Sequence, residues 1–300
     1  MFPSLRKTAL GLLTSLILSL SFTASVSAEV TGPPDYPVYG MDAAAEIVVP
    51  AEQNTAPATV SRPILNSVPN HKKFAVVIGI VYENYDFGNV AYADRDAGSV
   101  YDMLTGKMGF PRENVILLQN SQATLDNICK ALDWLTTNPQ VDSESEVVFF
   151  YSGHGLRNGP GAGLNIPDLA PGAALVPFDY PGFDYKRGQG LLWDSQLAQY
   201  LSRIHPARAW INIDSCSAGG FNRPGITGPN RIVTMSSQLD ELSSEIPDAG
   251  RGVMTQYLVE EGISKRFSVE DAFLAAAPRA FLGYGQNPQI ADEYPGNLDL

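Results

Sequence analysis

The chain has 300 residues, 44% of them hydrophobic, and a formal net charge of −12. That is enough apolar material for a sizeable core in one or two domains. So acidic a chain lacks the basic surface that phosphates need, which excludes nucleic acid as a partner and favours a basic one. Its two cysteines, Cys129 and Cys216, describe no disulfide framework, and with no CxxC pair and no His/Cys cluster they argue against a structural zinc site.

Residues 1–28 read as a secretory signal peptide. Arg6 and Lys7 precede a mostly apolar run, 9–20, that is short for a bilayer span, and Val26-Ser27-Ala28 offers small residues for cleavage before Glu29. An uncleaved anchor is the alternative. The expected location is periplasmic or extracellular, with no membrane span after cleavage. Loss of Arg6 and Lys7 leaves 18 basic against 32 acidic residues, a net charge of −14. Residues 29–70 are rich in proline and sustain no hydrophobic period, which predicts a linker or a pro-segment lying over the active site.

From 71 to 300 the pattern is that of one folded domain. The unbroken apolar run Phe74-Ala75-Val76-Val77-Ile78-Gly79-Ile80 predicts a strand covered on both faces. A helix is expected over 92–108, a strand over 115–118, and a helix over 124–137 with Cys129 on its apolar face as a small core residue. A third strand, 147–151, runs into Ser152-Gly153-His154-Gly155. The long stretch 155–191 reads as a functional or mobile loop. A helix over 194–204 starts on Asp194 as its N-cap. The next strand ends at Asp214 and Cys216, and another covers 231–235. Helices over 252–261 and 269–277 and a last strand over 279–284 complete the chain. Alternating strands and helices give an α/β fold, a three-layer α/β/α sandwich around a mostly parallel sheet of about six strands.

In such sheets ligands bind beyond the C-terminal strand ends. His154 and Cys216 both lie there, 62 residues apart. A thiol at one strand end and an imidazole at another are the parts of a nucleophile and its acid/base partner. His71 and His205 have no such context and read as surface residues.

Tyr151-Ser152-Gly153-His154-Gly155 and Asp214-Ser215-Cys216-Ser217-Ala218-Gly219-Gly220 resemble the paired motifs of caspase-like peptidases (family C14), in particular bacterial metacaspase-type (orthocaspase) enzymes. Asp96-Ala97, Trp193-Asp194, residues 235–257 and Gln286-Asn287-Pro288-Gln289 fit the same pattern, so the likeness covers most of 71–300. The QAC signature of caspases proper is absent. Ser217 stands where many metacaspases carry a histidine.

The resemblance implies a cysteine endopeptidase with Cys216 as nucleophile and His154 as acid/base. The backbone N–H groups of Gly155 and Cys216 would form the oxyanion hole. Asp96, Ser152 and Asp214 would line the S1 pocket that receives the residue before the cut (P1). Polypeptides with Arg or Lys at P1 would be the substrates, since a guanidinium pairs well with carboxylates. The resemblance implies no cofactor for the chemistry. It leaves Ca²⁺ as a candidate activator, with Asp168, Asp179 and Asp184 as weak ligand candidates in the loop after His154; scattered carboxylates equally fit a solvated surface. It also leans towards a monomer. Lys186-Arg187 and Arg223 are basic positions in predicted loops where self-cleavage is permitted. The competing readings are an inactive caspase-like binding or scaffold domain, and another peptidase or transpeptidase of the clan, legumain-like or gingipain-like.

Overall fold

The structure is a computed structural model and describes residues 67–82, 90–160, 164–166, 170–180 and 189–300. The expected signal peptide, almost all of the 29–70 segment, Asp168, Asp184 and Lys186-Arg187 lie outside the described residues.

β1 (Lys73–Gly79) is buried along its whole length. α1 (Ala93–Gly106) turns Ala93, Ala97, Val100 and Leu104 inward at helical spacing. β2 (Val115–Gln119) follows, and then α2 (Leu125–Thr137), whose N-cap Thr124 Oγ1 accepts from Asn127 N at 3.2 Å. β3 (Glu146–Ser152) is buried throughout. The stretch expected as one long loop holds β4 (Gly155–Asn158) and β5 (Gly172–Leu175). With β6 (Leu192–Trp193) they form an antiparallel ribbon in the order β4-β5-β6. α3 (Asp194–Leu201) takes Trp193, not Asp194, as its N-cap, and Gln196 Oε1 accepts from Trp193 N at 2.9 Å. Asp194 is drawn instead to Arg223, 2.9 Å away.

β7 (Arg208–Asp214) and β8 (Arg231–Met235) are again fully buried. β9 (Glu245–Ile246) and β10 (Arg251–Gly252) make a small antiparallel ribbon. The helix expected from residue 252 begins later, as a π-helical turn over Thr255–Glu260. α4 (Val269–Tyr284) runs through the residues expected to form the last strand. Its stop is Gly285, left-handed at φ 65°. The last strand is β11 (Gln289–Asp292), antiparallel to β8.

The central sheet has six strands in the order β11-β8-β7-β3-β1-β2, parallel except for β11. Phe74, Val76, Ile78, Phe149 and Ile211 pack on one face with Ile128 and Leu132 of α2 and Leu197 of α3. Ala75, Val77, Phe150 and Trp210 pack on the other with Val100 and Leu104 of α1, Leu258, and Phe273 of α4. This is the expected α/β/α sandwich.

Register fixes what the two ends of the sheet carry. At the N-terminal end Lys73, Glu146 and Arg208 align across β1, β3 and β7. At the C-terminal end Gly79, Ser152 and Asp214 align. A Cβ on Gly79 would lie 2.2 Å from Ala93 O and 2.5 Å from the Ala97 Cβ. Glycine there lets α1 close on the strand end, which brings Asp96 towards Ser152 and Asp214.

Candidate active site

β3 and β7 are parallel neighbours, so the same offset past Ser152 and Asp214 carries His154 and Cys216 off adjacent strand ends. Their two turns touch. Gly153 N donates to Asp214 O at 3.2 Å. A Cβ on Gly155 would lie 1.9 Å from the Cys216 carbonyl oxygen, so only glycine permits this approach. After the cysteine the chain bends through Ser217, left-handed at φ 57°. Ser236 Oγ accepts from Ser215 N at 3.0 Å, and the Ser236 and Ser237 hydroxyls donate to Ser215 O at 3.1 and 3.0 Å. The nucleophile turn is thus held from beyond β8.

His154 is 9% exposed, and its ring lies against Tyr82 with centroids 4.5 Å apart. Its carbonyl accepts from Tyr151 Oη at 2.8 Å and from Val176 N at 3.2 Å. Burial pushes the Tyr151 hydroxyl far above its ordinary pKa, so it stays a donor. Burial likewise pushes the Cys216 thiol up, and the Asp214 charge adds to this. The Ser243 N–H, 3.4 Å from Sγ, works in the opposite direction. A thiol held protonated in this way needs a base before it can attack.

The three residues expected to share a pocket do share one. Ser152 Oγ donates to Asp96 Oδ2 at 2.8 Å, and Gly252 N donates to both Asp96 oxygens at 3.2 Å. Asp214 Oδ1 accepts from Ser243 Oγ at 3.0 Å, and Oδ2 accepts from Thr255 N and Oγ1 at 3.1 and 2.9 Å. The two carboxylates converge: a Cβ on Gly252 would lie 2.8 Å from Asp214 Oδ2 and 2.9 Å from Asp96 Oδ2. Asp96 is fully buried and Asp214 is 5% exposed. Burial pushes both carboxyls up, and the Asp214 charge pushes Asp96 further. A cavity of about 40 Å³ lies between them, lined also by Ser152, Cys216, Ser243 and Glu245. Glu245 is opposite Gly252 in the β9–β10 ribbon, and its carboxylate accepts from Tyr92 N at 2.8 Å.

Ser243, Glu245, Gly252 and Thr255 were not singled out from sequence. All lie within 235–257, a segment that shares in the family resemblance. Asp179 accepts from Leu125 N at 2.8 Å, so its carboxylate serves the start of α2. Among the described residues no group of three or more His, Cys, Asp and Glu gathers to hold a metal. Cys129 is partly exposed, not a core residue, because its neighbour Ile128 takes the inward position on α2. Arg223 is tied into structure, with its carbonyl accepting from Ile226 N at 3.1 Å and Thr227 N at 2.9 Å.

Residues 72–293 match the family model of the caspase domain, peptidase C14. The chain belongs to that family. This caspase domain is similar to metacaspase-3 of Arabidopsis thaliana, with 29% identity over 159 residues, 50% of this chain and 41% of that one. It is 37% identical over 155 residues to metacaspase-1A of Aspergillus oryzae, covering 48% of this chain and 34% of the other. It thus spans less than half the length of either relative. Caspase-1 of Spodoptera frugiperda superposes with a TM-score of 0.53 at 13% identity, over 81% of this chain and 95% of that one. A protein of Geobacter sulfurreducens gives 0.54 at 17% identity, over 73% and 92%. At those identities the solved structures speak for the fold alone. The family and the metacaspase relatives place the caspase domain among the cysteine-peptidase hydrolases.

Proposed function

We propose that the protein is an exported cysteine endopeptidase that cuts polypeptides after Arg or Lys. One observation carries the specificity: two buried carboxylates, Asp96 and Asp214, converge on Gly252 in a cavity that also reaches Cys216. Carboxylates pre-oriented by hydroxyl and amide donors suit a guanidinium or ammonium and repel an acidic side chain. Glu245 adds a third carboxylate to the cavity wall.

His154 takes the Sγ proton, and Cys216 Sγ attacks the scissile carbonyl carbon. The oxyanion is met by the backbone N–H groups of Gly155 and Cys216, each worth about 2.7–4 kcal/mol where such donors have been removed from serine proteases. His154 then protonates the leaving amine, and water activated by the same imidazole hydrolyses the thioester. Residues 1–28 would direct export to the periplasm or beyond, and 71–300 would form the mature domain, acting as a monomer.

The test uses wild type and Cys216→Ala on fluorogenic peptides ending in Arg, Lys, Asn and Asp, with and without EDTA. Cleavage after Arg and Lys by wild type alone is the expected result. Equal activity of the two proteins would sink the nucleophile assignment, and cleavage after Asp but not Arg would sink the specificity. Loss of activity in EDTA, restored by Ca²⁺, would add the metal as an activator.

A further inference from the structure

A strap of residues 236–244 joins β8 to β9 and crosses the site. Its ends are fixed from the segment after α4. Gln286, 1% exposed, accepts from Ser244 N through Oε1 at 2.9 Å and donates to Ser236 O through Nε2 at 2.7 Å. The Glu241 carboxylate accepts from Asn287 N and, at 2.7 Å, from Asn287 Nδ2, while the Glu241 carbonyl accepts from Ser217 N at 2.8 Å.

Within this strap one residue touches both parts of the site. Ser243 N–H points at Cys216 Sγ from 3.4 Å, and Ser243 Oγ donates to Asp214 Oδ1 at 3.0 Å. Ser243 therefore bridges the pocket carboxylate and the sulfur.

We propose that Ser243 is a positioning residue that links filling of the acid pocket to the reactivity of Cys216. The proposal rests on the peptidase reading above. With the pocket empty, burial and the unneutralised Asp214 charge oppose loss of the thiol proton. A basic side chain in the pocket neutralises Asp214 and removes that opposition. Ser243, held on Asp214, keeps its N–H on the sulfur, where it stabilises the thiolate left when the proton moves to His154. The thiol is then most reactive when the pocket holds the correct side chain.

Several titratable groups surround this pair. Asp96 and Glu245 line the same cavity, and Arg251 of β10 acts on Asp96. Tyr151 of β3 feels the Cys216 charge, and His154 follows on the same strand end. Ser243 does not titrate. A guanidinium in the cavity faces Asp96 and Glu245 as well as Asp214, so the ligand-induced shift reads the pocket as a whole.

The full chain is alkylated with iodoacetamide across a pH series, with and without saturating ethylguanidinium, and the modified Cys216 peptide is quantified by mass spectrometry. In wild type the ligand should lower the pH midpoint of alkylation by about one unit. Ser243→Ala, which frees the amide from its anchor on Asp214, should raise the midpoint by about half a unit both with and without ligand, and Ser243→Thr, which keeps the hydroxyl, should restore it. On an Arg-terminated substrate Ser243→Ala should lower kcat about tenfold with KM within about threefold. An unshifted midpoint in wild type, or a wild-type midpoint in Ser243→Ala, overturns the proposal. Failure of the peptidase reading looks different: wild type would not cleave Arg or Lys peptides at all.

Discussion

Gly155→Ala tests whether the His154 and Cys216 turns are held in contact. The added methyl would lie 1.9 Å from Cys216 O, 3.0 Å from Cys216 C and 2.7 Å from Ser215 Oγ. Non-bonded heavy atoms settle near about 3.5 Å, so the turns must part by roughly 1.5 Å. The Ser215 hydroxyl can swing away. The Cys216 carbonyl cannot, because it is backbone followed by a left-handed residue, Ser217, and Ser217 N is tied to Glu241 O at 2.8 Å. Backbone displacement of this kind costs about 1–3 kcal/mol of stability, a few degrees in Tm for a domain of this size. Moving a nucleophile by about 1 Å costs about a hundredfold in rate. The expected result on an Arg-terminated peptide is therefore a kcat about a hundredfold lower, with KM within about threefold because the pocket carboxylates sit on α1 and on β7 before the turn. Gly106→Ala is the control, since nothing lies within 4 Å of a Cβ placed there. Wild-type kcat and Tm in Gly155→Ala would refute the packing of the two turns.

Asp96→Asn should make the protein more stable and less selective. Burial and Asp214 raise the Asp96 carboxyl, and a group whose folded pKa lies above its unfolded one contributes stability that is lost as pH rises through the folded value. At neutral pH the substitution should therefore add about 1–2 kcal/mol while discrimination against a citrulline peptide collapses; a lower Tm at alkaline pH would contradict this. In wild type, acidification through the raised Asp96 and Asp214 values should increase KM for Arg peptides and leave KM for citrulline peptides unchanged, which a pH series of initial rates reads directly. Glu146→Ala should cost about 3–5 kcal/mol in urea denaturation, because it strands two buried cations, Lys73 at 3.3 Å and Arg208 at 2.7 Å. Its kcat per folded molecule should not change, and a loss under about 1 kcal/mol would refute the account.

The parallel strands are legible because β1, β3 and β7 are apolar runs buried on both faces, a pattern that few other elements produce. The ribbon of β4, β5 and β6 is not, because strands of four, four and two residues among Gly and Pro show no period. The end of α4 misleads for a definite reason. Pro278 looks like a stop, yet it lies on the exposed side of the helix and the chain stays helical to Gly285. His154 and Cys216 follow from strand ends and residue chemistry. Asp96 does not, since nothing in its local sequence says that Gly79 lets α1 close on β1. Ser243 lies in a strap with no regular structure and Glu245 opens the two-residue β9, so only the fold places them on the cavity.

The two ends of the sheet handle buried charge in opposite ways. At one end Glu146 is fully buried, and the neighbouring strands supply Arg208, bonded through Nε at 3.0 Å and Nη2 at 2.7 Å, with Lys73 3.3 Å away. At the other end Asp96 and Asp214 are as deeply buried, and they are met by hydroxyls and backbone amides, among them those of Ser152, Ser243, Gly252 and Thr255. The nearby cation, Arg251, gives its guanidinium to Ser99 Oγ at 2.6 Å and to Glu260 at 3.4 Å. Hydroxyls and amides orient a carboxylate without cancelling its charge, so the Asp214 charge still raises the proton affinity of Asp96. A purely structural carboxylate pair would be better served by asparagine, which keeps an acceptor and carries no charge. The arrangement makes physical sense if a cation arrives with the substrate, and that is the strongest support for the proposal of a basic residue at P1.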